Sequence, residues 1–532
     1  MSRLRLTRRT FLRSAGLTAA AVVVPAVARG APAGRDRPDI VVIMADDMGY
    51  SDIGCYGGEI STPNIDSIAA SGLRFTQYHS ENMCAPTRAS LLTGLYHNRG
   101  FGKNTVTVAE VLGRAGYSTC MSGKWHVAGA RRDQTPPKRG FKRFFGTLSG
   151  CGSFFAPKFL NRDEKNAEHE WKDKNFYYTD AISDNAAGYV KETPKDTPLF
   201  LHVAYTAAHW PLHADPEDIA RYKGKYSMGW DELRNRRLAR MKKLSVVPEN
   251  VKLSPRNPEV PAWADAENKP WQERRMEVYA AQIEAMDRGI GRIVKALESS
   301  GRLDNTVLMF TIDNGGCHVE FSPKRTGAWL NKTTRDGKPL KVGNLPEVMP
   351  GPEDTWQSYG YGWANASNTP FRMYKQFDHQ GGVLLPMIVQ WPKVIKTGGA
   401  MTDQVCHVID ITPTALDLAG CEYPKTFNGA EILPVDGKSM APIFHGKKRK
   451  GHDVLYWRFA HGRAVRRGKW KLVAEGRNGR WELYDMQADP VELNDLASDK
   501  PEIVNELSGL WRAWSGSKRG GKKPRRKRAD KK

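Results

Sequence analysis

Four short apolar runs, each ending abruptly in polar residues, constrain this chain more than any other feature. Ile40-Val41-Val42-Ile43-Met44 leads into Asp46-Asp47, and Tyr117-Ser118-Thr119-Cys120-Met121 leads to Lys124 and His126. Leu199 to Tyr205 precedes His209, and Val307 to Ile312 runs into Asp313-Asn314-Gly315. Runs of this length without clean alternation suit strands covered on both faces. Between them lie helical patterns, the clearest being Met276, Tyr279, Ala280, Ile283, Met286, Ile290, Ile293 and Leu297, which mark one buried face ending near Gly301. Strands alternating with helices predict an α/β fold with a large, mostly parallel sheet flanked by helices. Ligands of such sheets bind beyond the carboxyl ends of the strands. One Asp or His after a strand is usually a turn former or helix cap. Four strand ends carrying carboxylates, a lysine and histidines together predict a site.

The chain is long enough for one large α/β domain with a smaller companion, and far too long for a small binding module. We place the large domain at 34–430. From about residue 430 the texture changes to short runs such as Val454 to Trp457, Arg463 to Val473 and Trp481 to Asp485, then a helix near Pro501 to Trp514. This predicts a small C-terminal subdomain, 431–516, of antiparallel sheet plus helix. Residues 517–532 form a basic tail with no apolar residue but Ala529 to anchor it, as expected of a disordered segment. Such a tail suits either solubility or tethering to polyanionic polysaccharide. Residues 1–33 carry Arg8-Arg9 before a short apolar run and small residues, as in a twin-arginine signal peptide. The expected location is therefore periplasmic or extracellular, with no membrane span after signal removal. The net charge of +23 lies mostly at these two ends, which leave only +8 on the body, so no nucleic-acid partner is expected.

Cys84 sits in Asn82-Met83-Cys84-Ala85-Pro86-Thr87-Arg88-Ala89-Ser90-Leu91-Leu92-Thr93-Gly94. Pro86 suits a first helical turn, so Cys84 falls at the helix N-terminus with Arg88 one turn along. Asp46, Asp47, Asp313 and Asn314 offer only oxygen ligands, which favours calcium over zinc. With Cys84 set aside, six cysteines remain, and the sequence alone does not choose among their pairings or a reduced set.

The C-x-P-x-R segment resembles the signature of type I sulfatases, closest to the bacterial arylsulfatases. Gly123-Lys124-Trp125-His126, His209 before Pro211, and Asn368 to Lys375 followed by Gly381-Gly382 resemble further motifs of that family in the same order. The resemblance covers roughly residues 38 to 515 and implies an alkaline phosphatase-like fold. It also implies oxidation of Cys84 to Cα-formylglycine by a formylglycine-generating enzyme, and a Ca2+ ion held by Asp46, Asp47, Asp313, Asn314 and residue 84. The implied reaction is hydrolysis of an aryl or carbohydrate sulfate ester, on a sulfated small molecule or polysaccharide. In it the formylglycine hydrate attacks sulfur with help from Asp313, Arg88 holds the hydrate, Lys124 and Lys375 bind sulfate oxygens, and His126 accepts a proton. His209 or Lys375 protonates the leaving oxygen. Three positions depart from the family pattern: Gln380 for a frequent Glu, Leu384 for an Arg, and Ala208 for a proline. The competing readings are a phosphomonoesterase or phosphonate hydrolase of the same superfamily, with Asp378-His379 as the only candidate for a second metal set, and a non-catalytic binder of sulfated glycans. Aromatic residues in Trp210 to Trp271 and Trp329 to Trp363 suit either loops over the pocket mouth or packing beneath them.

Overall fold

The computed structural model describes residues 37–127, 133–459, 462–476 and 478–516. The twin-arginine leader and the basic tail lie outside the described residues. The first strands are β1 (Asp39–Ala45), β2 (Leu73–His79), β3 (Ser118–Gly123), β4 (Arg143–Thr147), β5 (Leu160–Arg162), β6 (Lys165–Asn166), β7 (Leu199–Ala204) and β8 (Thr306–Ile312). A small ribbon of β9 (Lys341–Val342) and β10 (Thr355–Trp356) precedes β11 (Leu384–Gln390), β12 (Ala400–Thr402) and β13 (Cys406–His407). One large sheet runs β12-β2-β11-β8-β1-β7-β3-β4-β5-β6, with β13 beside β2. Every residue of β1, β7, β8 and β11 is buried. That is why these strands read as unbroken apolar runs.

The centre of the sheet, β8-β1-β7-β3-β4, is parallel as expected. β11 differs: it runs antiparallel between β8 and β2. Its apolar run is interrupted by Pro386, which would normally demote a central strand. Here the ladder with β2 shifts register between Leu385 and Met387, so the missing N–H falls where no ladder bond is required. The reversed direction has a consequence for function. The loop entering β11 lies at the same edge of the sheet as the loops leaving β1 and β8.

Helices pack in two groups: Pro63–Ala70 and Tyr178–Glu192 each contact the long helix Lys269–Ser299, and Cys84–Thr93, Val108–Arg114 and Ile411–Leu418 contact one another. The predicted face of the long helix, from Met276 to Leu297, is buried. The C-terminal sheet of β16 (Leu455–Phe459), β17 (Gly462–Arg467), β18 (Trp470–Ala474) and β19 (Glu482–Asp485), after the hairpin β14 (Thr426–Phe427) and β15 (Ala430–Glu431), is antiparallel throughout. Its side chains alternate between two cores. Trp457, Ala464, Val473 and Tyr484 pack on Val383, at the start of β11, while Val465, Leu472 and Leu483 pack on the helix Pro501–Gly516. The seven cysteines are unpaired. Among the described residues no helix is long and apolar enough to cross a membrane.

Candidate active site

Adjacent parallel strands deliver the first carboxylates together. Ala45 of β1 is in register with Ile312 of β8, so Asp46 and Asp313 follow side by side. The Asp47 backbone, at φ 58°, turns its N–H onto Asp313 Oδ1 at 3.2 Å. Tyr279 of the long helix supports the turn by donating to the Asp47 carbonyl at 3.3 Å.

The helix Cys84–Thr93 begins at Cys84, with extended Met83 before it. Its orientation is fixed by β8: Thr87 Oγ1 donates to the Asp313 carbonyl at 2.7 Å, and Arg88 donates to Asp313 Oδ2 through Nε at 3.2 Å and a terminal nitrogen at 2.8 Å. The other Arg88 terminal nitrogen donates to the Lys124 carbonyl at 3.2 Å. Cys84 is 1% exposed, and ligand atoms of Asp46, Cys84 and Asp313 lie within 4.8 Å of one another. The same holds for Asp46, Asp47 and His209.

Two lysines complete the nest. Lys124, just past β3, places Nζ 2.5 Å from Asp46 Oδ2, and Lys375 places Nζ 2.6 and 2.8 Å from the Asp47 oxygens. Lys375 arrives on the loop that enters β11. That loop can approach because Gly315 has no side chain: a Cβ there would sit 1.8 Å from the Gly381 carbonyl oxygen. His209 Nε2 lies 3.3 Å from Asp47 Oδ2 and its Nδ1 lies 2.6 Å from the Trp210 carbonyl. The His126 ring rests on Gly150, where a Cβ would fall 2.3 Å from Nε2. The structure therefore brings Asp46, Asp47, Cys84, Arg88, Lys124, His209, Asp313, Asn314 and Lys375 into one charged nest, with the His126 ring set against Gly150.

Burial and charge set the protonation states. Burial, reinforced by Lys124, Arg88, Lys375 and His209, holds His126 well below the ordinary imidazole value; burial with Lys375 and Lys124 does the same to His209. Burial is the largest single influence on Lys124 and Lys375 and works against their charges, but the negative groups around them, Asp46 foremost for Lys124 and Asp47 for Lys375, together raise both. Burial raises the Cys84 thiol, and burial with the neighbouring Asp313 charge raises Asp46. Two buried acceptors, Asp46 Oδ1 and Asn314 Oδ1, have no hydrogen-bond partner. Buried oxygens left without donors, among three carboxylates, fit a hard cation. The residues present therefore suit the calcium ion expected there. Among the described residues, only the two groups above bring ligand atoms so close together. Asp378 and His379 join neither: Asn82 Nδ2 donates to Asp378 at 2.5 Å, and His379 Nε2 lies 3.3 Å from Glu482.

The three departures have local explanations. Ala208 donates its N–H to the Asp46 carbonyl at 2.8 Å, a bond proline could not make. Gln380 accepts from Lys471 at 3.0 Å, while Glu492 already neutralises that lysine at 2.7 Å, so a neutral side chain suits position 380. Leu384 is buried opposite His79 in the β11–β2 ladder. The aromatic stretches divide between the two expectations. Trp230, Trp263 and Trp363 pack on one another with ring centroids 4.7 to 5.8 Å apart. Trp210 instead contacts the His209 ring at 4.4 Å and packs at a tilt against Trp329 at 5.3 Å, beside the site. Sequence reasoning missed Thr87, although it lies in the motif, and Tyr279 and Gly150, which carry no local signal.

The family model described as Sulfatase matches residues 38–421, and one described as N-sulphoglucosamine sulphohydrolase, C-terminal, matches residues 371–510. An uncharacterized sulfatase of Schizosaccharomyces pombe is 35% identical over 89% of this chain and 93% of its own. The arylsulfatase of Klebsiella aerogenes is 33% identical over 82% of this chain and 98% of its own. Among solved structures, Ps i-CgsB in complex with k-i-k-neocarrahexaose shares the fold with a TM-score of 0.63 and 24% identity, over 90% of this chain and 93% of that one. The alkaline phosphatase-like architecture is thus common to both. With most of its length matched to one family and a buried charged nest at the strand ends where that family's motifs fall, the chain belongs to the sulfatase family and is a sulfuric ester hydrolase.

Proposed function

We propose that the protein hydrolyses sulfate monoesters of aryl or carbohydrate alcohols with formylglycine, made from Cys84, as nucleophile and with calcium as the resident metal. The observation that carries this reading is the position of Cys84. It starts a helix, is buried, and lies within ligand reach of Asp46 and Asp313, beside two acceptor oxygens that lack donors. In this reading the Cys84 sulfur stands where the formylglycine oxygens would be. Asp46, Asp47, Asp313 and Asn314, with residue 84, would hold the calcium. Bound there, the ion would supply Lewis acidity to the nucleophile and to a sulfate oxygen.

The chain's own residues account for the rest. Arg88 fixes Asp313 and keeps a positive charge beside residue 84. Lys124 and Lys375 are protonated and bind sulfate oxygens; a cation ~4 Å from developing charge contributes about 4 kcal/mol at an effective dielectric of about 20. His126, kept neutral, accepts a proton from a hydroxyl at position 84. His209 donates its Nδ1–H to the Trp210 carbonyl, so its Nε2 must first take up a proton before it can pass one to the leaving oxygen; Lys375, already protonated, is the alternative donor. Charge balance favours sulfate over phosphate. Asp46, Asp47 and Asp313 cancel Arg88, Lys124 and Lys375. A dication and a singly charged sulfate ester then leave one positive charge to stabilise an ionised nucleophile, whereas a doubly charged phosphate monoester leaves none.

The arylsulfatase relative supports aryl esters, and the oligosaccharide bound by Ps i-CgsB keeps carbohydrate esters in the class. Export through the twin-arginine route, and a catalytic domain at 34–430 with a subdomain at 431–516, belong to the same proposal. Mass spectrometry of the peptide containing residue 84, with sulfate and phosphate release from matched aryl esters before and after chelation, tests it. We expect an aldehyde at residue 84, faster sulfate release, and activity lost to chelator and restored by Ca2+. An intact thiol in fully active protein, or full activity without divalent ions, overturns it.

A further inference from the structure

The stretch Phe321 to Arg335 carries Lys324, Arg325, Lys332 and Arg335 and no acid. Its middle forms a loop fastened at several points. Asn344 N donates to the Phe321 carbonyl at 2.8 Å. Trp329 packs against Trp210 with ring centroids 5.3 Å apart and stacks on Trp356 at 5.6 Å. Asn331 Nδ2 donates to the Ala156 carbonyl at 3.0 Å, on the segment that follows Gly150 and the His126 ring. The loop therefore spans from Trp210, next to His209, to the segment around Ala156.

Arg325 occupies a defined position on this loop. Its guanidinium carbon lies 4.9 Å from the centre of the Trp210 ring and 5.3 Å from that of Phe321, and Trp210 in turn contacts His209 at 4.4 Å. Stacking orients a guanidinium edge-outward and leaves its donors available to an oxyanion. No carboxylate is paired with Arg325, Lys324 or Lys332 among the described residues. The nearest acid in sequence, Glu320, is committed to Arg275 at 2.8 Å. Lys324 and Lys332 are exposed and Arg325 is half-buried. A fixed, unpaired arginine touching the ring that touches the leaving-group histidine differs from a scattered surface charge.

We propose that Arg325, with Lys324 and Lys332, recognises a second anionic group carried by the leaving alcohol, so that the preferred substrates are sulfate esters bearing a further sulfate or carboxylate. This rests on the sulfatase reading of the nest and adds the chemistry of the part of the substrate that departs. Charge-assisted contacts of this kind are worth about tenfold in kcat/KM when partly desolvated, and less when exposed and screened.

The test uses three matched aryl sulfates whose leaving phenol carries a carboxamide, a carboxylate or a second sulfate. We expect the wild-type protein to favour the anionic probes by about tenfold in kcat/KM, chiefly through KM, with the preference shrinking as salt rises. Arg325→Gln should reduce the ratio of anionic to neutral probe to near unity. The exposed pair Lys324→Gln with Lys332→Gln, which cannot unsettle the core, should reduce it by a smaller factor. Comparing the carboxylate and sulfate probes tells which oxyanion is read. Equal use of all three probes by the wild type overturns the inference and leaves the sulfatase reading intact. So does an Arg325→Gln variant that slows every probe alike. Failure to release sulfate from any probe overturns both.

Discussion

Two buried clusters of carboxylate and arginine lie close together in this molecule, and only one resembles a reaction centre. In the first, Arg237 donates to Glu59 at 2.7 and 2.8 Å and to Asp52 at 2.6 Å. Asp52 also accepts from Tyr279 at 2.8 Å and from the Gly49 N–H at 2.7 Å, and Glu59 accepts from Tyr226 at 3.0 Å. Neither carboxylate has a buried oxygen without a partner. In the second, Asp46, Asp47 and Asp313 face Arg88, Lys124 and Lys375, yet Asp46 Oδ1 and Asn314 Oδ1 lack donors and a thiol stands among them. Glu59 is partly exposed at the edge of the first cluster, whereas the second is buried throughout. The difference is saturation. A structural network uses every lone pair it buries, because an unsatisfied one costs about 1–3 kcal/mol. A reaction centre retains that cost where a ligand will offset it.

The sharpest way to break this comparison is to alter one member of each cluster. Cys84→Ala should lower sulfate release by about 10⁴-fold or more, as removal of a nucleophile does, while thermal unfolding changes little because residue 84 is a single small side chain at the start of its helix. A variant that unfolds readily, or that keeps measurable turnover, would make Cys84 a packing residue like those around Arg237. Arg237→Met should do the opposite. It strands Asp52 in the interior, leaves the partly exposed Glu59 without its arginine, and should cost about 3–5 kcal/mol in urea denaturation. If activity falls in proportion to the folded fraction, the cluster is structural; a specific loss in fully folded protein would join it to the site.

The smallest effect concerns pH. His202, His213 and His407 are buried and lowered from 6.5 to about 4, in each case first by burial. Above pH 6.5 these rings are neutral in the folded and unfolded chain alike, and their contribution to stability is fully present. Below it the unfolded chain takes up protons that the folded chain refuses, so stability falls until the folded forms also titrate near 4. Each ring contributes a slope of about 1.4 kcal/mol per pH unit in that window. Unfolding measured from pH 7 to 5 should show this decline, and His202→Gln should flatten it by about one proton. A flat profile would mean that the rings are not held neutral.

The site was more legible than the sheet that carries it. Asp46-Asp47, Cys84 with Arg88, Lys124 with His126, His209, and Asp313-Asn314 each sit in a short segment whose local chemistry is unusual, and all of them converge. β2 was not legible, because its partly exposed pattern resembles a loop approach. Nor was β11, because Pro386 interrupts its apolar run and nothing local indicates its direction.

The sequence by itself determined which residues carry charge, where buried strands end, and which helix presents Cys84 at its N-terminus, since periodicity and capping are local properties. Only the tertiary structure decided that β11 runs against its neighbours and brings Lys375 to Asp47, that Gly150 makes room for the His126 ring, and that Arg325 stacks on Trp210. These depend on close approach between segments far apart in the chain. Such contacts are selected by packing and by the need to satisfy buried polar groups, and no short stretch of sequence records them.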